Sequence, residues 1–446
     1  TGGEIVILDG TYNITASIHI PKNNVSLRGN GNATILKRGY NSTDTHIGST
    51  ARGLITLNRK SGCKIQDLQI DGNKTTHTAG HNDGIYLYAS SYNTITGITC
   101  NNNNYEGIYL RSSSNNTITD NTCNNNSNGI YLVASSNANT ITGNTCNNNN
   151  YEGIYLTRSN NNTITDNTCN NNRYSGIDLV SSNYNNTITG NTCTYNYYGI
   201  SLSASSYNTI TGNTYNDNTS YGIYLYSSSI NTVTGNTCTN NSNGIYLLIS
   251  SNDNTVTGNN CNNNNDDGIR LSSSSDNTVT GNTCTDNGGS GIDLYSSSSN
   301  NTVTGNICNN NRTGIRLSSS NNNTVTGNTC NNNNDGIGLG GLSESSVNNT
   351  ITGNICNNNS NSGIFLHESS NNNTVTGNTC NNNNDGIYLY SSSNNTITGN
   401  TCIRGTGTPG DYTTEYTILL SGADNNYNLI SLNNCMGKAV EVKGGI

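Results

Sequence analysis

The sequence predicts an all-β chain: a β-solenoid of about sixteen coils, each of ~23 residues, with three short parallel sheets. Three observations predict it. A motif such as "NTITGNTCNNNN" (139–150) recurs with a period of 22 to 26 residues, usually 23. A tetrad resembling "GIYL" follows it, and fourteen such tetrads run from Gly84–Leu87 to Gly386–Leu389. Nearly every copy also carries a cysteine at one fixed place. Helices are excluded, because Thr, Asn, Ser and Gly form them poorly and nothing repeats at 3.6 residues. A propeller blade needs about 40 residues, and a leucine-rich repeat needs a denser leucine pattern.

The coil from Asn116 to Ser135 gives the elements in order. Thr117-Ile118-Thr119 alternates, so Ile118 faces in and both threonines face out. Asp120-Asn121 makes a corner, where most other copies have Gly-Asn, and all three residue types tolerate a left-handed backbone. Thr122-Cys123 is a second short strand with Cys123 facing in. Asn124 to Asn128 form the next corner. Gly129-Ile130-Tyr131-Leu132 is the third strand, with Ile130 and Leu132 inside and Tyr131 outside. Ser135-Ser136-Asn137 closes the coil.

Cysteine suits the narrow interior as a small apolar residue. Its slot holds Ile70, then Cys100, Cys123, Cys146, Cys169 and Cys193, then Tyr215. It continues with Cys238, Cys261, Cys284, Cys308, Cys330, Cys356, Cys380, Cys402 and Cys435, while Cys63 lies outside it. At ~4.8 Å per rung the stack is about 75 Å long. The corner asparagines Asn121, Asn144, Asn167 and Asn191 are expected to bond from coil to coil, satisfying polar groups otherwise buried. No single coil can bury its apolar face alone, so stability is a nearest-neighbour sum. The domain reading is one continuous solenoid: irregular coils over 1–58, regular repeats over 59–402, and a final coil and cap over 403–446 with the atypical loop "GTGTPGDYTTEY".

Composition excludes several functions. Only 10% of the 446 residues are charged, the net charge is −8, and no basic run exists to neutralise phosphates, so no nucleic-acid partner is expected. No apolar run of about 20 residues occurs, so no membrane span is expected. The chain opens at Thr1 inside a motif, as a mature or trimmed product would.

The opening "GGEIVILDGTYNITASIHIPKNNVSLRGNGNATIL" resembles the first coils of pectate-lyase-like right-handed parallel β-helix proteins. The repeats, such as "NTITGNTCNNNNYEGIYL", are similar to those of NosD-type periplasmic copper-maturation proteins and of archaeal cell-surface β-helix proteins. The resemblance covers nearly the whole chain and implies the right-handed fold. The cysteine in each coil departs from the usual aliphatic residue. The cysteine- and asparagine-rich composition resembles that of archaeal sheath and surface-layer proteins.

Each candidate site also has a plain structural role open to it. The outward tetrad position carries Tyr86, Tyr109, Tyr131, Tyr155, Tyr224, Tyr246, Phe365 and Tyr388, an aromatic stripe suited to packing between copies or to stacking on sugar rings. The same position carries Arg270, Asp293 and Arg316 on successive coils. A cross-rung ion ladder explains them, and a charged sugar-binding patch is the alternative. "THTAGHND" places His77 and His81 near Asp83, but in a loop without an assured cysteine partner, so no metal or other cofactor is expected. Candidate N-glycosylation sequons begin at Asn13, Asn24, Asn32, Asn41, Asn73, Asn115, Asn161, Asn185, Asn300, Asn322, Asn372 and Asn394. The functional expectation is a secreted, non-enzymatic structural protein at the cell surface, assembling with copies of itself into a sheath, surface layer or filament, with surface glycans as a further partner. A carbohydrate-binding or polysaccharide-degrading β-helix, and a NosD-type metal-handling protein, are the alternatives.

Overall fold

A computed structural model describes residues 2–43, 52–341, 344–403, 416–436 and 441–442. Most of the atypical loop, and residues 437–440 and 443–446, lie outside them. The chain divides into two compact units, Thr1–Thr219 and Ser220–Ile446. Each is a stack of parallel coils, as the repeats require.

In the first unit the Thr-Ile-Thr strands pair parallel and in register. Thr94–Thr96 is followed by Thr117–Thr119, Thr140–Thr142, Thr163–Thr165, Thr187–Thr189 and Thr209–Thr211. The tetrad strands form a second sheet, from Asp83–Tyr88 through Ile130–Val133 to Tyr198–Ser203. The third sheet is thinner than the alternation suggests. Between most coils it is reduced to single bridges such as Thr122 to Thr145. The cysteine slot also starts one coil earlier than the sequence reading placed it, because Leu36 pairs with Ile70.

The second unit repeats the plan. Its Thr strands run from Thr232–Thr234 to Thr396–Thr398 and then Leu429–Ser431. Its tetrad strands run from Tyr221–Tyr226 to Tyr416–Ser421.

The alternation places the core. Ile118, Cys123, Ile130 and Leu132 are all fully buried, and so are their counterparts in most coils. Tyr215 is equally buried in the cysteine slot. The slot is narrow because it faces the tetrad glycine of the preceding coil. A Cβ on Gly291 would lie 2.8 Å from Cys308 Cβ and 2.7 Å from the Gly314 carbonyl oxygen. A small residue on one side and no side chain on the other let the walls meet.

The corners carry three asparagine ladders per coil, where the sequence reading identified one. In the expected ladder, the Asn121 backbone N–H and side-chain amide donate to Asn144 Oδ1 at 3.0 and 2.9 Å, and Asn144 Nδ2 donates to the Ile118 carbonyl at 2.9 Å. A second ladder links Asn116 to Asn139, and a third links Asn126 to Asn149. Serines such as Ser113 and Ser136 form a fourth line. Left-handed residues turn the chain at these corners: Asn115, Asp120 and Asn125 have φ of 57, 54 and 56°. Asn and Asp accept this conformation more readily than other non-glycine residues.

Candidate functional site

The tetrad sheet of the second unit holds a groove of about 790 Å³. Register builds it. Arg270 pairs with Asp293, Asp293 with Arg316, Arg316 with Gly338 and Gly338 with Phe365, so these outward positions lie side by side on successive rungs. Gly338 leaves a gap where neighbouring coils carry Arg or Phe. A Cβ there would meet only Thr313 Cγ2, at 3.6 Å. Among the coils from Cys100 to Cys402, that from Cys330 to Cys356 is the longest, at 26 residues. Its extra length brings Glu344 over the groove, where it pairs with Arg316 at 3.3 Å and accepts a hydrogen bond from Ser318.

The charges do not form the simple ladder expected from the sequence. Arg270 Nη1 lies 3.4 Å from Asp267 Oδ2 and 3.5 Å from Asp266 Oδ2, while its Nε stands 3.9 Å from Asp293. That last separation is an ion pair but not a hydrogen bond, and Asp293 Oδ1 is buried without a partner. One guanidinium therefore serves two buried carboxylates. Burial pushes Asp267 up to about 7, and the nearby Asp293 charge adds to the shift, although Ser290 N–H donates to Asp267 Oδ1 at 2.7 Å. Burial also pushes Asp293 up, to about 6, against the opposing pull of Arg316 and Arg270. The carboxylates outweigh the effect of burial on Arg270 and raise its pKa. The Arg270 guanidinium also lies 4.9 Å from the Tyr295 ring centre. Asp335, Arg312, Phe365 and His367 also line the groove.

Asp266, Asp267, Asp335 and Glu344 were missed by sequence reasoning. The Asp266-Asp267 doublet before a tetrad and the over-long coil were the available signals.

The aromatic residues divide into separate groups. Tyr86, Tyr109, Tyr131 and Tyr155 stack at centroid distances of 5.2, 5.1 and 4.7 Å. They are not an exposed stripe throughout, because Tyr86 and Tyr109 are buried. Arg52 lies over both rings, 4.5 Å from the Tyr109 centre, and is held by an ion pair with the buried Asp83. Burial raises Tyr155 to about 12, and raises Glu106 and Glu152 to about 8 and Asp178 to about 7 beside this stack. In the second unit Tyr224 and Tyr246 are tilted at 6.0 Å, and Phe365 stacks on Tyr388 at 4.8 Å. Exposed tyrosines instead occupy a corner of the first unit. Tyr151 and Tyr174 stack there at 5.7 Å, and Tyr197 N–H donates to the Tyr174 carbonyl.

Most of the sequons lie where a glycan has room. Asn115, Asn161, Asn185, Asn300, Asn322, Asn372 and Asn394 share one exposed left-handed corner just before the Thr strand. Asn13, Asn24, Asn32 and Asn41 are also exposed. Asn73 is half-buried and donates its side-chain amide to the Arg38 carbonyl.

The solved structures similar to this chain include the A-module of Azotobacter vinelandii mannuronan C-5 epimerase, at 17% identity and a TM-score of 0.34, covering 96% of this chain and 91% of that one. DFA-IIIase from Arthrobacter chlorophenolicus A6 aligns at 14% identity and a TM-score of 0.46, over 72% of this chain and 83% of that one. Endo-xylogalacturonan hydrolase from Aspergillus tubingensis aligns at 16% and 0.45, over 68% and 87%. At such identities no activity passes from them to this chain. No curated protein matches the sequence.

Two family models match. The right-handed β-helix region model covers 248–402 and 307–445, and the model described as periplasmic copper-binding protein (NosD) covers 32–220 and 180–310. The residues present do not fit a copper site. The slot thiols from Cys100 to Cys402 are buried in single file against glycine backbone. Burial raises Cys100, Cys169 and Cys330 well above the thiol range, while at Cys284 burial is outweighed by hydrogen bonds from Cys261 and Cys308, which lower it to about 5. His81 stacks on Tyr105, and Asp83 is engaged by Arg52. Among the described residues no three His, Cys, Asp or Glu side chains gather closely enough to hold a metal, and no helix is long and apolar enough to cross a membrane. The NosD match extends over more than half of the chain, which thus belongs to the NosD family of right-handed β-helix repeat proteins.

Proposed function

We propose that this chain is an extracytoplasmic β-helix that binds polysaccharide in the groove of its second unit, without turning it over. The observation that carries the reading is the charge arrangement around Arg270. A guanidinium fixed between Asp267 and Asp293 presents donors and acceptors together, as sugar hydroxyls require, and Phe365 adds an aromatic surface. Catalysis is not part of the proposal, because both raised carboxylates face the same guanidinium rather than opposite sides of an open space. Titration calorimetry against a panel of acidic and neutral polysaccharides tests it. Binding to at least one, lost in Arg270→Ala and weakened in Asp293→Asn, is the expected result. Failure to bind any polysaccharide overturns it, and turnover abolished in Asp293→Asn replaces it with an enzyme.

A second reading, self-association into a sheath, surface layer or filament, is favoured by the exposed tyrosine corner of Tyr151, Tyr174 and Tyr197 in the first unit. Aromatic side chains of this kind are enriched in interfaces between proteins. Light scattering at high concentration should detect assemblies that Tyr151→Ser/Tyr174→Ser weakens. A strictly monomeric wild type overturns this reading.

A further inference from the structure

The eight Thr-Val-Thr or Thr-Ile-Thr strands from Thr232–Thr234 to Thr396–Thr398 present a surface that the groove does not use. They pair parallel and in register throughout. Each strand therefore adds two outward threonines to two straight ranks. Rungs repeat at ~4.8 Å, and the two threonines of one strand stand ~6.7 Å apart. These two repeats, at right angles, lie close to those of oxygen atoms on a prism face of ice.

Three further features hold the array to that geometry. An asparagine ladder brackets each end of the strands, with Asn254 bonded to Asn277 at 2.8 Å on one side and Asn259 to Asn282 at 2.9 Å on the other. Side-chain ladders of this kind stabilise flat sheets, and β-branched threonine is stiff at χ1. The hydroxyls are also left for solvent. Among the described residues the only hydrogen bond made by these outward hydroxyls is between Thr376 and Thr398, at 3.3 Å. Finally, the corner that follows these strands carries no charge, although Asp253 and Asp276 stand at the corner before two of them. The following corner is Gly at every coil from Gly235 to Gly399, whereas the first unit places Asp120 and Asp166 at the same corner. Space does not demand this, because a Cβ on Gly258, Gly281 or Gly305 would meet nothing within 4 Å.

We propose that this threonine face adsorbs to ice. The methyl groups and hydroxyls together order a layer of water in register with the crystal lattice. Many weak, regularly spaced contacts then act at once, so adsorption depends on the whole face engaging together.

The test uses the full chain in a nanolitre osmometer, together with adsorption of fluorescently labelled protein to a single ice crystal. The wild type is expected to shape ice crystals and to depress the freezing point below the melting point. Thr280→Tyr/Thr304→Tyr should reduce that gap about tenfold or more at equal concentration, since protruding rings prevent simultaneous engagement. Thr329→Tyr, on the neighbouring sheet, should leave it unchanged. Far-ultraviolet circular dichroism checks that each variant is folded. No freezing-point gap and no adsorption by the folded wild type overturns the proposal, as does an unaltered gap in the double variant. A wild type that shows neither effect, but whose assemblies dissociate in the double variant, identifies the face as a contact between copies and equally overturns it.

Discussion

Replacing Asn282 with alanine tests whether the buried asparagine ladders hold the coils together. Asn282 is wholly buried. Its Oδ1 accepts from the backbone N–H and the side-chain amide of Asn259, both at 2.9 Å. Its Nδ2 donates to the Val256 carbonyl at 3.0 Å and to Asn306 Oδ1 at 2.9 Å. Truncation strands one group. The Asn259 N–H loses its acceptor where water does not reach, whereas the Val256 carbonyl keeps its place in the parallel ladder with the Thr278–Thr280 strand. The Asn259 amide keeps the Val233 and Thr257 carbonyls, and Asn306 Oδ1 keeps the Asn282 backbone N–H. A stranded group costs about 1–3 kcal/mol, so Asn282→Ala should cost about 1–3 kcal/mol. Asn282→Asp keeps the acceptor, loses both donor bonds and buries a charge, so it should cost at least as much. Urea unfolding followed by circular dichroism measures both variants against the wild type, with a separate early transition expected if the stack breaks at that coil. A loss for Asn282→Ala below about 1 kcal/mol, with an unchanged slope, would refute the reasoning.

Acidification should stabilise the first unit. Glu106 and Glu152 are raised to about 8 and Asp178 to about 7 by burial, so the folded state favours their protonated forms; their contribution is complete below about pH 4 and is lost progressively as pH rises to about 8. The melting temperature should rise between pH 8.5 and 5, Glu106→Gln should flatten part of that rise, and a fall over the same range would contradict it. Gly291→Ala should destabilise by about 1–3 kcal/mol, because its Cβ meets fixed atoms of Cys308 and Gly314, whereas Gly338→Ala in the groove should change stability by less than about 0.5 kcal/mol; calorimetry of the pair decides whether the narrow slot or glycine itself matters. Thiol titration under denaturing, non-reducing conditions should count nearly all fifteen cysteines, since all are unpaired and fourteen are buried; disulfides alternating along the slot would leave only a few.

The core was legible in the sequence because its signal is a strict alternation. Ile118, Cys123, Ile130 and Leu132 each had only one face available to them, and each is fully buried there. Asn121 was legible because its corner recurs as Gly-Asn or Asp-Asn in nearly every coil. Asn116 and Asn126 were not, since an asparagine-rich corner offers several chemically identical candidates and only backbone geometry selects the one that turns inward. Alternation also assigned Tyr86 and Tyr109 to the outward face, but it carries no information on what lies over that face, and Arg52 comes from the preceding coil. The groove was half legible. Arg270, Asp293 and Arg316 stood at matching positions, whereas Asp267 lies outside the tetrad and Glu344 reaches the site through an irregular loop that no period predicts.

The buried asparagine ladders all run one way. In the first unit Asn116 donates to Asn139 and Asn139 to Asn162, and in the second Asn236 donates to Asn259 and Asn259 to Asn282. Each such amide carries a dipole of about 3.5 D, the moment of a peptide unit. Backbone dipoles within a sheet largely cancel, but these side-chain dipoles add along the stacking direction. Each unit is therefore an electret at molecular scale, positive toward its higher-numbered coils and negative toward its lower-numbered ones. Such an object has a head and a tail even where its repeats are nearly identical. In a pulsed electric field it would orient before it rotated at random again, and the decay of the induced birefringence would report its length.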